Sequence, residues 1–322
     1  MARTIADTGE FGLIQRVTAR VGGQPGGSGP GVPVPLLGPG DDAAVVATPD
    51  GRVVVSTDVL VEGRHFRRDW SSAADIGHRA AAANLADIAA MGAVPTALLV
   101  AFCGPPDLAV DWFEELTDGI VEEAAGTGAS VVGGDLSSSS VLTIAVTALG
   151  DLHGRAPVRR DGARAGDVLA LAGRVGYAAA GYTVLSRGFR SPKLLVEAHR
   201  RPEVPYPAGP RAAELGATSM IDISDGLLAD LAHVARASRV AIDVRTDAFP
   251  VPTQMRDAAG ALGVDPYTWI LGGGDDHPLA ATFPAGTELP EDWVVIGSVG
   301  AGAEVTVDGA PYAGGGGWEH FR

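Results

Sequence analysis

The sequence predicts a two-domain protein of mixed α and β structure. Short apolar runs alternate with stretches whose apolar residues recur at helical spacing, and the alternation continues along most of the chain. At 322 residues there is room for two separate cores. A polar, glycine-punctuated stretch, "HGRAPVRRDGARAGD" at 153–167, interrupts the pattern near the middle. The expected domains are 1–150 and 151–322.

Taken in order, "GEFGLIQRVTARV" at 9–21 has Phe11, Ile14, Val17 and Val21 at helical spacing, which predicts a short amphipathic helix. "GGQPGGSGPGVPVP" at 22–35 is rich in Gly and Pro without periodicity and is expected to be a mobile loop. "DAAVVAT" and "GRVVVST" flank the turn "PDG" at 49–51 and read as a β-hairpin. The stretch 71–91 reads as a helix, with Ser72 and Asp75 spaced as a capping box and an alanine density that suits close packing. "VPTALLVAFC" is a strand, "DLAVDWFEELTDGIVEEAAG" a helix, and "ASVVGGD" and "VLTIAVTALG" are strands. In the second half "VLALAG" is a strand, and 175–187, 192–200 and 207–216 are helical. The strand "SMIDIS" then leads into the helix "DGLLADLAHVARAS", and "VAIDV", "LAATF", "WVVIGSV" and "AEVTV" are strands. No short repeat is present.

Composition narrows the function. Thirty-nine acids against 24 bases give a net charge of −15, which repels nucleic-acid backbones and anionic membranes. No apolar run approaches the roughly 20 residues that span a bilayer. The opening "MARTIADTGEFG" lacks the apolar core of a secretory signal, and the single cysteine, Cys103, cannot form an internal disulfide. Cys103 follows a strand-like run and is expected in or near the core. A cytoplasmic location is the expectation.

Aspartates fall where strands end or glycine loops begin. Asp41 and Asp42 follow "GPG", Asp58 follows "VVVST", Asp135 follows "SVVGG", Asp222 and Asp225 lie in "IDISDG", and Asp87 lies on the Ala-rich helix. Strand ends are where α/β proteins assemble sites. Carboxylates gathered there need cations, and oxygen-only donors favour Mg2+ over zinc. "LLGPGDDAAVV" looks built for phosphate, yet no lysine follows, so it does not match a P-loop. A competing reading makes each Asp a turn former or helix cap: "GDD" as a type I turn, Asp225 as the cap of the following helix.

The segments "GPGDDAAVV", "STDVLVEGRHF", "NLADIAAMGAVP", "VVGGDLSSS" and "IDISDGLLADLAHVARAS" resemble the successive signature motifs of the thiamine-monophosphate kinase family, in that family's order. "RRDGARAGD", "LGGGDDHPL" and "GWEHF" extend the likeness over nearly the whole chain. The wider superfamily includes aminoimidazole ribonucleotide synthetase, selenophosphate synthetase and a hydrogenase maturation protein, all users of ATP. The resemblance implies a two-domain fold of the aminoimidazole ribonucleotide synthetase type, with N-terminal strands pairing across a homodimer. It implies an N-terminal domain for ATP, Mg2+ and dimerisation, and a C-terminal domain completing the cleft. The implied reaction is ATP- and Mg2+-dependent phosphorylation of thiamine monophosphate by in-line transfer.

The same resemblance implies metal ligation by Asp42, Asp58, Asp87, Asp135, Asp222 and Asp225, with oxygens from Ser56 and Thr57. It implies ATP contacts at Gly134, Asp135, Arg160 and Ser224, with Arg159 the alternative should the alignment slip by one. Substrate contacts are implied at His65, Asp275 and Trp318. His65 has a competing role as a histidine satisfied by local backbone, and Trp318 one as cover for the C-terminal core. No residue is expected to act as a general base, because the acceptor phosphate is already ionised. Asp58 and Asp135 are expected to matter most. The chain departs from the family at 273–279, where Gly-Gly-Glu-Asp-Tyr-Glu-Leu becomes "GGDDHPL". Asp275 thereby replaces a longer glutamate. Two other readings stay open: a different ATP-dependent member of the superfamily, against which the context of His65 and Trp318 favours thiamine, and a nucleotide-binding regulator with impaired catalysis, which the changed loop makes conceivable.

Overall fold

The fold is taken from a computed structural model that describes residues 3–21, 44, 46–314 and 317. Asp41, Asp42, the loop expected at 22–35 and Trp318 lie outside the described residues. The chain divides into two compact units, Met1–Ile88 with Ala93–Gly154, and Ala89–Gly92 with Arg155–Arg322.

Unit 1 carries helices α1 (Ile5–Val21), α2 (Ala73–Ala90) and α3 (Val110–Thr127), and strands β1 (Val54–Val61), β2 (Val94–Gly104), β3 (Ser130–Ser138) and β4 (Thr143–Asp151). α1 is broken at Gly9, where φ is 70°. The sheet order is β1-β4-β2-β3, antiparallel except for the β2–β3 pair, which the α3 crossover makes parallel. The hairpin expected around 49–51 is corrected: a turn exists at 49–50, but 46–48 is not strand, and β1 takes β4 as its ladder partner. The strands also run past the aspartates expected to follow them, so Asp58 and Asp135 lie within β1 and β3.

The capping box forms as expected. The Ser72 N–H donates to Asp75 Oδ2 at 3.0 Å, and the Asp75 N–H donates to Ser72 Oγ at 3.2 Å. The small residues of α2 then let it meet α3 backbone to backbone. A Cβ on Gly77 would lie 2.1 Å from the Leu116 carbonyl oxygen, and one on Gly119 would lie 2.1 Å from that of Ala74. Ala80, Ala81, Ala82 and Ala86 are fully buried beside them.

Unit 2 has strands β5 (Val168–Ala172), β6 (Ser219–Asp222), β7 (Val240–Val244), β8 (Leu279–Phe283), β9 (Trp293–Ala301) and β10 (Val305–Val307), in the order β10-β7-β9-β5-β8-β6. Only the β10–β7 pair is parallel. Its helices are α4 (Tyr177–Ser186), α5 (Lys193–Arg200), α6 (Ala208–Glu214), α7 (Leu227–Ser238), α8 (Thr253–Leu262) and α9 (Pro266–Gly272). Phe283 and Trp293 meet edge to face at 5.3 Å in a core with Met220, Leu279, Ala170 and Ala172. No helix among the described residues is long and apolar enough to cross a membrane.

Candidate active site

In unit 1 a polar cluster forms between β1 and α2. Asn84 and Asp87, one helical turn apart on α2, face the strand. Ser56 Oγ donates to Asp87 Oδ2, and the Asp58 N–H donates to Asn84 Oδ1 at 2.9 Å. Asn84 is 1% exposed and its amide is fixed by the Ala80 carbonyl at 3.0 Å. Sequence reasoning missed Asn84, although it opens the "NLAD" motif. The side chain of Thr57 points to the opposite face of the sheet, where it bonds the Val146 carbonyl and Thr147 Oγ1, both at 3.0 Å. The Val61 N–H donates to His65 Nδ1 at 2.9 Å, which puts the proton of the neutral ring on Nε2.

Gly134 and Asp135 sit apart from this cluster. The cross-strand row runs Asp58, Val146, Val100, Gly134, so Asp58 and Gly134 occupy opposite edges of the sheet, roughly 14 Å apart at three strand spacings. Asp135, in the next row, faces away from α2 with Ala101 and Ala145. A Cβ on Gly134 would lie 1.9 Å from the Val100 carbonyl oxygen, so the neighbouring strand alone requires glycine there. Cys103, beyond this row on β2, is half-buried.

In unit 2 two loops interlock. The Asp275 N–H donates to the Ser224 carbonyl at 2.9 Å, the His277 N–H to the Ile223 carbonyl at 3.1 Å, and the Ile223 N–H to the Pro278 carbonyl at 2.9 Å. Gly274 allows this: a Cβ there would sit 2.0 Å from the Ser224 oxygen. The arrangement gathers Asp222, Ser224, Asp225 and Asp275. Gly317, one residue before Trp318, also lies against the Asp225 carbonyl.

The cap of α7 is Gly226, with no side-chain cap, so Asp225 does not play that part. Asp230, which sequence reasoning missed, organises the loop instead. Its Oδ2 accepts the N–H groups of Ser224, Asp225 and Gly226 at 3.0, 3.0 and 3.1 Å. Burial, then the nearby Asp222 charge, push the Asp230 carboxyl up to about 7 against those donors.

Arg160 starts a single turn, Arg160–Gly162, whose first carbonyl accepts from Ser238 Oγ at 2.8 Å. Arg159 is paired with Asp161 at 2.5 Å. Burial together with the Arg236 and Arg160 charges lowers the pKa of His233 on α7, while Asp225 opposes them.

Among the described residues no group of three or more His, Cys, Asp or Glu side chains is close enough to hold a metal ion. The donor set still fits Mg2+, which typically takes one or two carboxylates and completes its shell with water and phosphate oxygens.

The family described as "AIR synthase related protein, N-terminal domain" matches residues 40–152. The E. coli hydrogenase maturation protein HypE shares the fold at a TM-score of 0.74 over 93% of this chain and 94% of its own, with 20% identity. The fold is that of the AIR synthase-like class of proteins. Within it, the thiamine-monophosphate kinase of Mycobacterium tuberculosis is 48% identical over 320 residues, 99% of this chain and 93% of that protein. The structure of AaThiL complexed with AMPPCP and TMP matches at a TM-score of 0.79 and 31% identity, over 98% of each chain. The chain belongs to the thiamine-monophosphate kinase family.

Proposed function

We infer that this chain transfers the γ-phosphoryl group of ATP to thiamine monophosphate, giving thiamine diphosphate and ADP. The observation that carries the inference is identity of 48% along 99% of the chain to a thiamine-monophosphate kinase. The attacking atom is a phosphate oxygen, ionised at neutral pH, so no general base is assigned. The protein's part is to align two polyanions and offset their repulsion. Bound Mg2+, held by the carboxylates named below, would supply that neutralisation.

Asp42, Ser56, Asp58, Asp87 and Asp135 of unit 1, and Asp222 and Asp225 of unit 2, are assigned to hold Mg2+. The Thr57 hydroxyl, already engaged by the Val146 carbonyl and Thr147 Oγ1, is left out of that set. Gly134, Asp135, Arg160 and Ser224 are assigned to ATP, and His65, Asp275 and Trp318 to thiamine monophosphate. His65 presents a protonated Nε2 once Val61 holds Nδ1.

A homodimer is part of the reading. Val55 and Val59, exposed by 56% and 46%, share the sheet face turned away from α2 with Leu99, and β1 is an edge strand among the described residues. Open edges invite strand pairing, and an exposed apolar face suits a partner copy. The cytoplasm is the assigned compartment, in keeping with a lone cysteine.

The test is chromatographic. Purified protein with ATP, Mg2+ and thiamine monophosphate should give equal amounts of thiamine diphosphate and ADP, and EDTA should abolish both. Folded protein that binds ATP yet forms no thiamine diphosphate would overturn the assignment and bring forward the altered loop at 273–279.

A further inference from the structure

The departure from the family pattern at 273–279 has a geometric counterpart. Where the family has Tyr, this chain has His277, buried, with Nδ1 3.2 Å from Oδ2 of the equally buried Asp222. An ionised carboxylate can only accept, so the proton of this bond belongs to Nδ1. A tyrosine has no polar atom at that branch of the ring, only a hydroxyl at its far end.

The backbone holds the imidazole in place. His277 sits at φ 53° and Asp275 at φ 69°, a region that residues other than glycine seldom adopt. Two ladder bonds, His277 N–H to the Ile223 carbonyl and Ile223 N–H to the Pro278 carbonyl, lock the loop beside the last residue of β6. Asp222 also lies within electrostatic reach of Asp230, so the two carboxylates repel and Asp222 needs a donor to keep one orientation.

We propose that His277 is a positioning residue that fixes the Asp222 carboxylate for a divalent cation. The proposal rests on the assignment of Asp222 made under the proposed function. A ring donor behind a ligating carboxylate orients it, and loss of such a partner typically weakens metal binding about 10- to 100-fold.

Three variants test it by calorimetric titration of Mn2+ into the full chain in the presence of ADP. Asn places its amide nitrogen near the Nδ1 position and tolerates positive φ, so H277N should bind Mn2+ within about threefold of the parent. H277Q reaches toward the Nε2 position instead, and H277F fills the volume without a donor. Both should weaken Mn2+ at least about tenfold while leaving the KM for thiamine monophosphate unchanged. Near-UV circular dichroism checks that each is folded, and the Asn–Gln comparison decides the matter even if H277F does not fold. Parent-like Mn2+ binding by folded H277Q, or H277N as weak as H277Q, would overturn the proposal. So would a parent chain that binds no Mn2+. A parent that binds Mn2+ with this His277 dependence but makes no thiamine diphosphate would overturn only the kinase assignment.

Discussion

Asp230 and Asp276 are both about 97% buried carboxylates, and each accepts backbone N–H groups at the start of a helix or loop. Asp276 Oδ1 accepts from Ala178 N–H at 2.9 Å in the first turn of α4, while Oδ2 has no hydrogen-bond partner among the described residues. Burial first, with help from the Asp275 charge, pushes its carboxyl up to about 7, although the Ala178 N–H and Arg174 pull the other way. In the unfolded chain an aspartate titrates near 3.9, so between about 4 and 7 the folded state binds the extra proton. The stabilisation from this group is therefore fully present below about pH 4 and lost as pH rises through about 7. In EDTA, the urea midpoint of the wild type should fall from pH 5.5 to pH 8.0, and D276N should fall less. Equal slopes would mean that Asp276 does not hold its proton in the fold. Asp230 calls for a different pair of variants, because its three N–H partners need an acceptor and not a charge. D230A should lose at least about 2 kcal/mol of stability, and D230N, which keeps one amide oxygen, should lose clearly less. Equal losses in urea titrations would show that the three bonds are not what Asp230 contributes.

At the scale of elements, the α2–α3 contact makes the sharpest demand on the sequence. Gly77 and Gly119 face carbonyl oxygens of the opposite helix, so a methyl at either position forces the helices apart. G77A improves helix propensity by about 1 kcal/mol, yet should cost about 1–3 kcal/mol net because the clash is with rigid backbone. An unchanged or higher urea midpoint would mean that the pair relaxes freely. Much of this layer was legible. The capping box fixed the start of α2, and runs such as "VPTALLVAFC" gave strands because apolar density and breakers suffice for existence and type. Other features were not. α8 and α9 went unread, although Asp265 caps α9 through the Tyr267 N–H at 3.0 Å with Pro266 at its first position, a signal the sequence did contain. The failed hairpin at 49–51 shows the opposite limit: a turn and two apolar flanks do not say which strand is the partner. Facing and register depend on pairing over long sequence separation. Hence adjacent Ser56 and Thr57 ended on opposite faces, and Asn84 and Asp230 acquired roles that only a folded neighbour reveals.

For unit 1 as a whole, the strand order sets a problem that a single copy does not solve. Asp58 and Asp135 were the two residues expected to matter most, yet β1 and β3 are opposite edges of one sheet. Their side chains also face opposite sides of it. Two carboxylates separated by roughly 14 Å of sheet cannot share one cation, whose ligands lie about 2 Å from it. A dimer that pairs the β3 edge of one copy with the β1 edge of the other would bring an Asp135 within one strand spacing of Asp58, although the two side chains would still leave the joined sheet on opposite faces. On that arrangement each site takes Asp58 from one protomer and Asp135 from the other. D58N and D135N homodimers should then both be nearly inactive, since every site carries a lesion. Co-expressed in equal amounts, half of the dimers are mixed, and each mixed dimer has one site with both lesions and one with none. Such a preparation should recover about one quarter of the wild-type rate. Recovery would place the two carboxylates in one site across the pair. A co-expressed preparation that is dimeric by light scattering, contains mixed dimers by mass spectrometry and remains inactive would show that each protomer uses its own Asp58 and Asp135.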